Sequence, residues 1–191
     1  VPSMMRTLDG FAVPVAVSGL ENGSQNGTVV VLCAEQRPPA AYAALCARLH
    51  TASLRTVVIG TDSRLTPKSV VGILDALEIG WAVLVGDHAG AELAWVLAAT
   101  RVGRFVGLVA IDRGHPRAAD VADDVIGDEH CPPVEIGTTV LASSAAARAA
   151  ARDSQRLVYA DYRVVDLVDP RNAQESTAQL STEIVLRASG W

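Results

Sequence analysis

Three side chains with the chemistry of a nucleophilic site each follow an apolar run. Cys33 closes the run TVVVLC at 28–33, His88 lies just past WAVLV at 81–85, and Asp112 follows FVGLVAI at 105–111. If those runs are neighbouring strands, a thiol, an imidazole and a carboxylate meet at their ends, and a cysteine nucleophile with an oriented base becomes possible. The plainer reading makes Cys33 a buried strand-end thiol, inert because apolar burial raises its pKa. Asp112 is then the cap of a turn with Arg113 and Gly114. Asp87, His88, Asp112 and His115 could also gather a metal, but this unordered carboxylate–histidine mix follows no ligand spacing, and none is expected. Gly-x-Gly-x-x-Gly and P-loop patterns are absent, so no cofactor is expected either.

The elements that would position these residues alternate in type. Short β-branched runs at 28–33, 55–59, 81–85, 105–111, 138–142 and 163–168 are separated by helical patterns. The helices are expected near 38–49, 66–79, 91–100, 144–156 and 174–188. Thr66 with Pro67 is a helix-start signal, and Val70, Val71, Leu74 and Leu77 make an apolar stripe behind it. Residues 6–8 and 12–17 flank the turn dipeptide Asp9-Gly10 and predict an antiparallel hairpin. Residues 21–27 read as a polar loop. Residues 113–133 are acidic and proline-punctuated, hence mostly loop with room for one short helix. A hairpin followed by βα repeats predicts an α/β fold: a three-layer sandwich with one mostly parallel sheet of about eight strands and helices on both faces. Ligands of such sheets sit beyond the carboxyl ends of the strands, where Cys33, His88 and Asp112 lie.

Bulk properties agree with a single domain over residues 1–191, with residues 1–5 expected to be an extraneous or disordered lead. Half of the residues are hydrophobic but only 4% are aromatic, so the core must be built from Val, Leu, Ile and Ala. The net charge is −5 and the 16 basic residues are scattered, which disfavours nucleic-acid binding. The near-absence of lysine (Lys68 alone) with many Arg, Ala and Val hints at a high-GC bacterial source. Three cysteines, an odd number without metal spacing, read as reduced thiols and, with no signal-peptide pattern, predict a cytoplasmic protein. No stretch is long and apolar enough to predict a membrane span.

The segment Gly86-Asp87-His88-Ala89-Gly90, entered from a strand and left by a helix, resembles the nucleophile elbow of the α/β-hydrolase family, where Gly-x-Ser-x-Gly presents the nucleophile on a strained turn. The approach LDALEIG at 74–80 and the order of strands around residues 55, 82, 107, 140 and 165 extend the resemblance over nearly the whole chain. It implies the α/β-hydrolase fold, with the hairpin as the first two strands and residues 29–33 as the third.

The same resemblance exposes four departures. His88 stands where the family has Ser, Asp or Cys, although histidine tolerates the positive φ of the turn. The loop after the last strand, 166–172, holds no histidine, and none follows His130, so the general base is missing. Ala142-Ser143-Ser144 runs into a helix without the acid that usually follows that strand. Cys33-Ala34-Glu35 replaces the His-Gly pair that shapes the oxyanion hole, and a carboxylate there would raise the energy of a developing oxyanion. Residues 113–133 make a reduced cap, leaving an open upper face. A non-catalytic small-ligand or protein-binding pseudoenzyme is therefore expected, with Cys33, Ala34, Glu35, Asp87, His88, Ala89, Asp112 and His115 as candidate ligand-binding residues. The alternative is a divergent, esterase-like hydrolase using Cys33, His88 and Asp112. A small apolar ligand, or a protein partner or second copy acting as the lid, would cover the open face. At the amino end of a helix, His88 is expected to be neutral at pH 7.

Overall fold

The computed structural model describes residues 2–19, 26–118, 126–169 and 172–189. Parts of the polar loop at 21–27, of the cap region at 113–133 and of the loop at 166–172 lie outside the described residues.

Eight strands form one sheet in the order β1-β2-β4-β3-β5-β6-β7-β8. The strands are β1 (Ser3–Arg6), β2 (Ala12–Ser18), β3 (Thr28–Leu32), β4 (Arg55–Ile59), β5 (Ala82–Asp87), β6 (Phe105–Ile111), β7 (Thr138–Ala142) and β8 (Tyr162–Asp166). β2 pairs antiparallel with both β1 and β4, and every other pairing is parallel. The hairpin sits earlier than the sequence suggests. Its register runs from Ser3↔Val15 to Arg6↔Ala12, so Ser3, Met4 and Met5, expected to be disordered, are strand residues. Thr7 N–H donates to the carbonyl of Phe11 at 2.9 Å and closes the turn, with Gly10 supplying its positive φ of 87°.

The helices are α1 (Ala43–Thr51), α2 (Pro67–Ala76), α3 (Ala89–Thr100), α4 (Ala145–Ser154) and α5 (Ala173–Ala188). A 3₁₀ turn, Pro39–Tyr42, leads into α1, and a second, Gln155–Leu157, follows α4. Caps fall where the side chains allow them: Thr66 accepts from Ser69 N–H, Ser144 from Ala147 N–H, and Asn172 from the amides of Gln174 and Glu175.

The central strands β3 to β7 are buried almost throughout and rich in valine, as a sheet covered on both faces requires. Alternate residues feed two separate cores. Val30, Leu32, Leu84, Leu108 and Val140 pack with Val70, Ile73, Leu74, Trp95 and Ala151 of α2, α3 and α4. Val29, Val31, Val83, Val109 and Leu141 pack with Leu45 and Leu49 of α1 and Leu180 and Ile184 of α5. Three layers result. Among the described residues no helix is long and apolar enough to cross a membrane.

Candidate functional site

The site is built where β5 turns into α3. His88 occupies the turn with φ 49° and ψ −108°, and its N–H donates to the carbonyl of Ile111 at the end of β6. Two glycines make so sharp a turn possible. A Cβ on Gly86 would lie 2.5 Å from Ala91 Cα, and one on Gly90 would run into the carbonyl of Leu32 at the end of β3. Strand, turn and helix approach too closely for any side chain there.

His88 is clasped on both ring nitrogens. Its Nδ1 lies 2.6 Å from Asp87 Oδ1 and its Nε2 lies 3.3 Å from Asp112 Oδ2. Two carboxylates this close favour a proton on each ring nitrogen, the imidazolium form. The bonds to Asp112 and Asp87 push its pKa up to about 9, outweighing the partial burial that would lower it. The neutral imidazole expected from the helix dipole is therefore corrected. A helix terminus contributes up to about 1 kcal/mol at a surface, whereas hydrogen bonds to charged groups contribute about 1.5–3 kcal/mol each.

Both carboxylates are themselves held. Asp87 is nearly buried; burial alone would raise its pKa, but the bonds from His88 and Tyr42 and the charge of Arg37 bring it below the usual value. Tyr42 Oη donates to Asp87 Oδ2 at 2.8 Å, and Arg37 Nη1 reaches the same oxygen at 3.3 Å. The phenol also accepts the N–H of Ala34 at 2.8 Å. Asp112, at φ 59°, accepts from the backbone N–H of Ser143 at 2.7 Å and from the Ser143 hydroxyl. Burial opposes its ionisation too, but the bonds from His88 and Ser143 keep its pKa low. A continuous run of hydrogen bonds, with one ion pair between His88 and Asp112, thus crosses the carboxyl edge of the sheet: Ala34 after β3, Tyr42, Asp87 on β5, His88, Asp112 after β6, and Ser143 after β7.

Of the eight residues singled out from the sequence, Ala34, Asp87, His88 and Asp112 belong to this run. Ala89 is the first residue of α3. Cys33 is fully buried among Tyr42, Leu45 and Cys46 on the α1 side of the sheet; burial first, then the charge of Asp87, push its thiol up to about 12. Glu35 is exposed and Asp87 is the carboxylate that enters the run in its stead. His115 stands apart: buried, with Nε2 donating to the Pro132 carbonyl at 2.7 Å and Nδ1 accepting from Arg117 N–H at 3.0 Å. Burial holds its pKa below the ordinary value, so it is neutral. Trp95 packs edge-on against it with centroids 5.6 Å apart and donates to the carbonyl of Arg113. Among the described residues no group of three potential ligands is placed to hold a metal.

Sequence reasoning missed Arg37, Tyr42 and Ser143. Tyr42 reads as a core residue of its helix, which it is, and only its hydroxyl betrays a second role. Ser143 was visible as a residue after a strand, the position that the fold reserves for site groups.

Beyond the strand ends, a cavity of about 730 Å³ opens between α3 and α4. His88, Asp112 and Ser143 form its polar end, Glu92 and Arg113 a side, and Ala146, Ala147 and Ala150 of α4 a methyl-lined wall.

No protein-family model matches this sequence, and no curated protein matches it either. Solved structures do match. A mutant epoxide hydrolase of Vigna radiata superposes with a TM-score of 0.77 at 10% identity, over 100% of this chain and 99% of that one. Epoxide Hydrolase A of Mycobacterium thermoresistibile gives a TM-score of 0.71 at 13% identity, over 95% and 98%. The enol-lactonase of Burkholderia xenovorans LB400 gives 0.72 at 15% identity, over 96% and 98%. Identities this low speak to the fold, and with the strand order and the antiparallel hairpin they establish it: this chain has the α/β-hydrolase fold.

Proposed function

We propose that this protein is a pseudoenzyme, a hydrolase-like scaffold that binds a small ligand or a partner at its upper face and does not hydrolyse it. The observation that carries the reading is the double clasp on His88. An imidazolium whose two ring nitrogens each face a carboxylate has no lone pair to attack a carbon or to take a proton from water. The surroundings agree. The amide that follows the third strand, which in this fold helps to bind an oxyanion, is used by Tyr42. No histidine follows His130, so the loop after β8 offers no base.

The rival reading, a cysteine-dependent esterase, draws on the His88–Asp112 pair at 3.3 Å, an imidazole with an orienting carboxylate. Its weakness is the attacker. A thiol with a pKa of about 12 supplies almost no thiolate at pH 7. A panel of p-nitrophenyl esters of increasing acyl length tests both. The protein, Cys33→Ala and His88→Ala are expected to give the same background rate. Turnover that both substitutions abolish would replace the pseudoenzyme with the thiol hydrolase. Light scattering tests whether a second copy supplies the lid: association that rises with concentration supports it, and a monomer throughout rules the second copy out.

A further inference from the structure

We infer that the free edge of β8 pairs with β8 of a second copy, antiparallel about a two-fold axis at Val164. The sheet of one molecule then continues into the next, whatever the upper face binds. β8 ends the sheet, with β7 on one side and no strand on the other. The Asp161 carbonyl accepts from Thr138 N–H, and Leu167 N–H donates to the Ala142 carbonyl, so the odd-numbered residues turn their backbone groups toward β7. The N–H and C=O groups of Tyr162, Val164 and Asp166 therefore point away from the sheet. Among the described residues only one of them has a partner, the Asp166 carbonyl, which accepts from Gln179 Nε2 at 2.7 Å.

Sheet edges are commonly guarded by brevity, proline or charge. β1, at the opposite edge, has all three: four residues, Pro2 before them, and an exposed Arg6 with no ion pair among the described residues. At β8 the charges are drawn back onto the protein's own helices. Arg163 bonds Glu183 of α5 at 3.1 Å, Asp161 bonds Arg187 of α5 at 2.8 Å, and Asp166 bonds Arg148 of α4 at 2.6 Å.

The strand itself points to a second copy as the occupant. Outward residues can bond only outward residues, which leaves few registers for two antiparallel β8 strands. With the axis at Val164, Val164 faces the partner's Val164, Tyr162 faces the partner's Asp166, and Arg163 faces the partner's Val165. All three outward residues are paired and no like charges meet. An axis at Arg163 sets two guanidinium groups side by side, and one at Val165 sets Asp161 against Asp169. The favoured register also places the exposed Val168 opposite the partner's Ala160 and next to the partner's Tyr159, itself exposed. Leu186, exposed and seven residues from Gln179 on the same stripe of α5, borders this edge as well. The contact is isologous, so assembly stops at two copies.

Sedimentation velocity of the whole chain should show a monomer–dimer equilibrium with a Kd of about 0.1 mM or below. Val164→Pro removes the outward N–H at the axis, a change that an edge strand tolerates, and should abolish association. Val168→Arg, at an exposed position, should weaken it about tenfold or more with thermal unfolding unchanged, and decides the matter if Val164→Pro fails to fold. Register is read by a short bismaleimide on a chain carrying both Ala160→Cys and Val168→Cys. These exposed sites lie about 25 Å apart along one strand but face each other across the axis, and the native cysteines are buried. The double variant should cross-link to a dimer and neither single variant should. A monomer up to about 1 mM overturns the inference. So does a dimer that survives Val168→Arg and a folded Val164→Pro, which would place the second copy elsewhere, as a lid over the upper face would be. Growth beyond two copies, or association without the cross-link, overturns it too, because the two-fold register would then be wrong.

Discussion

His88 and His115 border the same cavity and lie in opposite electrostatic states. His88, its side chain 47% exposed, is charged because two carboxylates hold both of its nitrogens. His115, 1% exposed, is neutral because burial disfavours its charge and its Nδ1 accepts a backbone N–H. Burial alone would lower both rings, strongly at His115 and weakly at the half-exposed His88. The difference shows what decides a histidine's charge in this fold: the carboxylates offered by the ends of β5 and β6 in one case, and burial under the loop after Gly114 in the other.

The two environments should also differ in how much they stabilise the fold, and the buried neutral one is expected to weigh more. His115→Ala removes a ring packed on Trp95 and leaves the Pro132 carbonyl and the Arg117 amide without their bonds. A loss of about 3 kcal/mol is expected, combining a cavity with unpaired backbone groups. For a chain of this size that lowers Tm by about 6–12 °C. Asp87→Ala strips His88, Tyr42 and Arg37 of a shared acceptor, but the His88 and Arg37 side chains are 47% and 60% exposed, and water replaces part of the loss. About 2 kcal/mol is expected. Calorimetry on both variants ranks them. Were Asp87→Ala the more damaging, the charged run along the strand ends would be the stronger support, and the comparison would invert.

The sequence already carried most of the fold. The strands at 105–111 and 138–142 coincide with β6 and β7, and Thr66 caps α2 as read. Those elements are fixed by local signals: valine-rich runs, a cap with a following proline, and glycines where backbones touch. The hairpin was displaced because its turn spans residues 7–11, longer than the Asp9-Gly10 dipeptide suggests, which shifts the ladder toward Ser3. At the site, topology could place His88 and Asp112 at adjacent strand ends. It could not show which way a side chain points. Tyr42 lies 45 residues from Asp87, and its hydroxyl reaches that carboxylate only after α1 has packed on the sheet. The charge state of His88 turned on the same contacts, and so was misjudged from its position alone.

The smallest effect is also the most diagnostic, because the two histidines impose opposite pH dependences. His88 has a folded pKa near 9, above the 6.5 of an unfolded histidine. Between those values the native state holds a proton that the unfolded state does not, so stability is full below about pH 6.5 and declines as pH rises through 9. His115 has its pKa lowered, first by burial. There the unfolded state takes up the proton, so stability is full above about pH 6.5 and declines as pH falls through the folded value. Asp87 and Asp112, held low by their donors, add to the acid side at still lower pH. Denaturant melts across pH 4 to 10 should therefore give a dome. His88→Gln, worth about 0.5–1 kcal/mol at pH 7 for a half-exposed pair, should flatten the decline above about pH 6.5, keep the His115 decline just below it, and weaken the carboxylate part of the acid limb, because Asp87 and Asp112 lose a cationic donor. Above about pH 8.5 the buried thiols of Cys33 and Cys131, with raised pKa values, add a decline of their own, so a fall between about pH 6.5 and 8 that survives in His88→Gln would show that the clasp by two carboxylates does not hold the ring in its charged form.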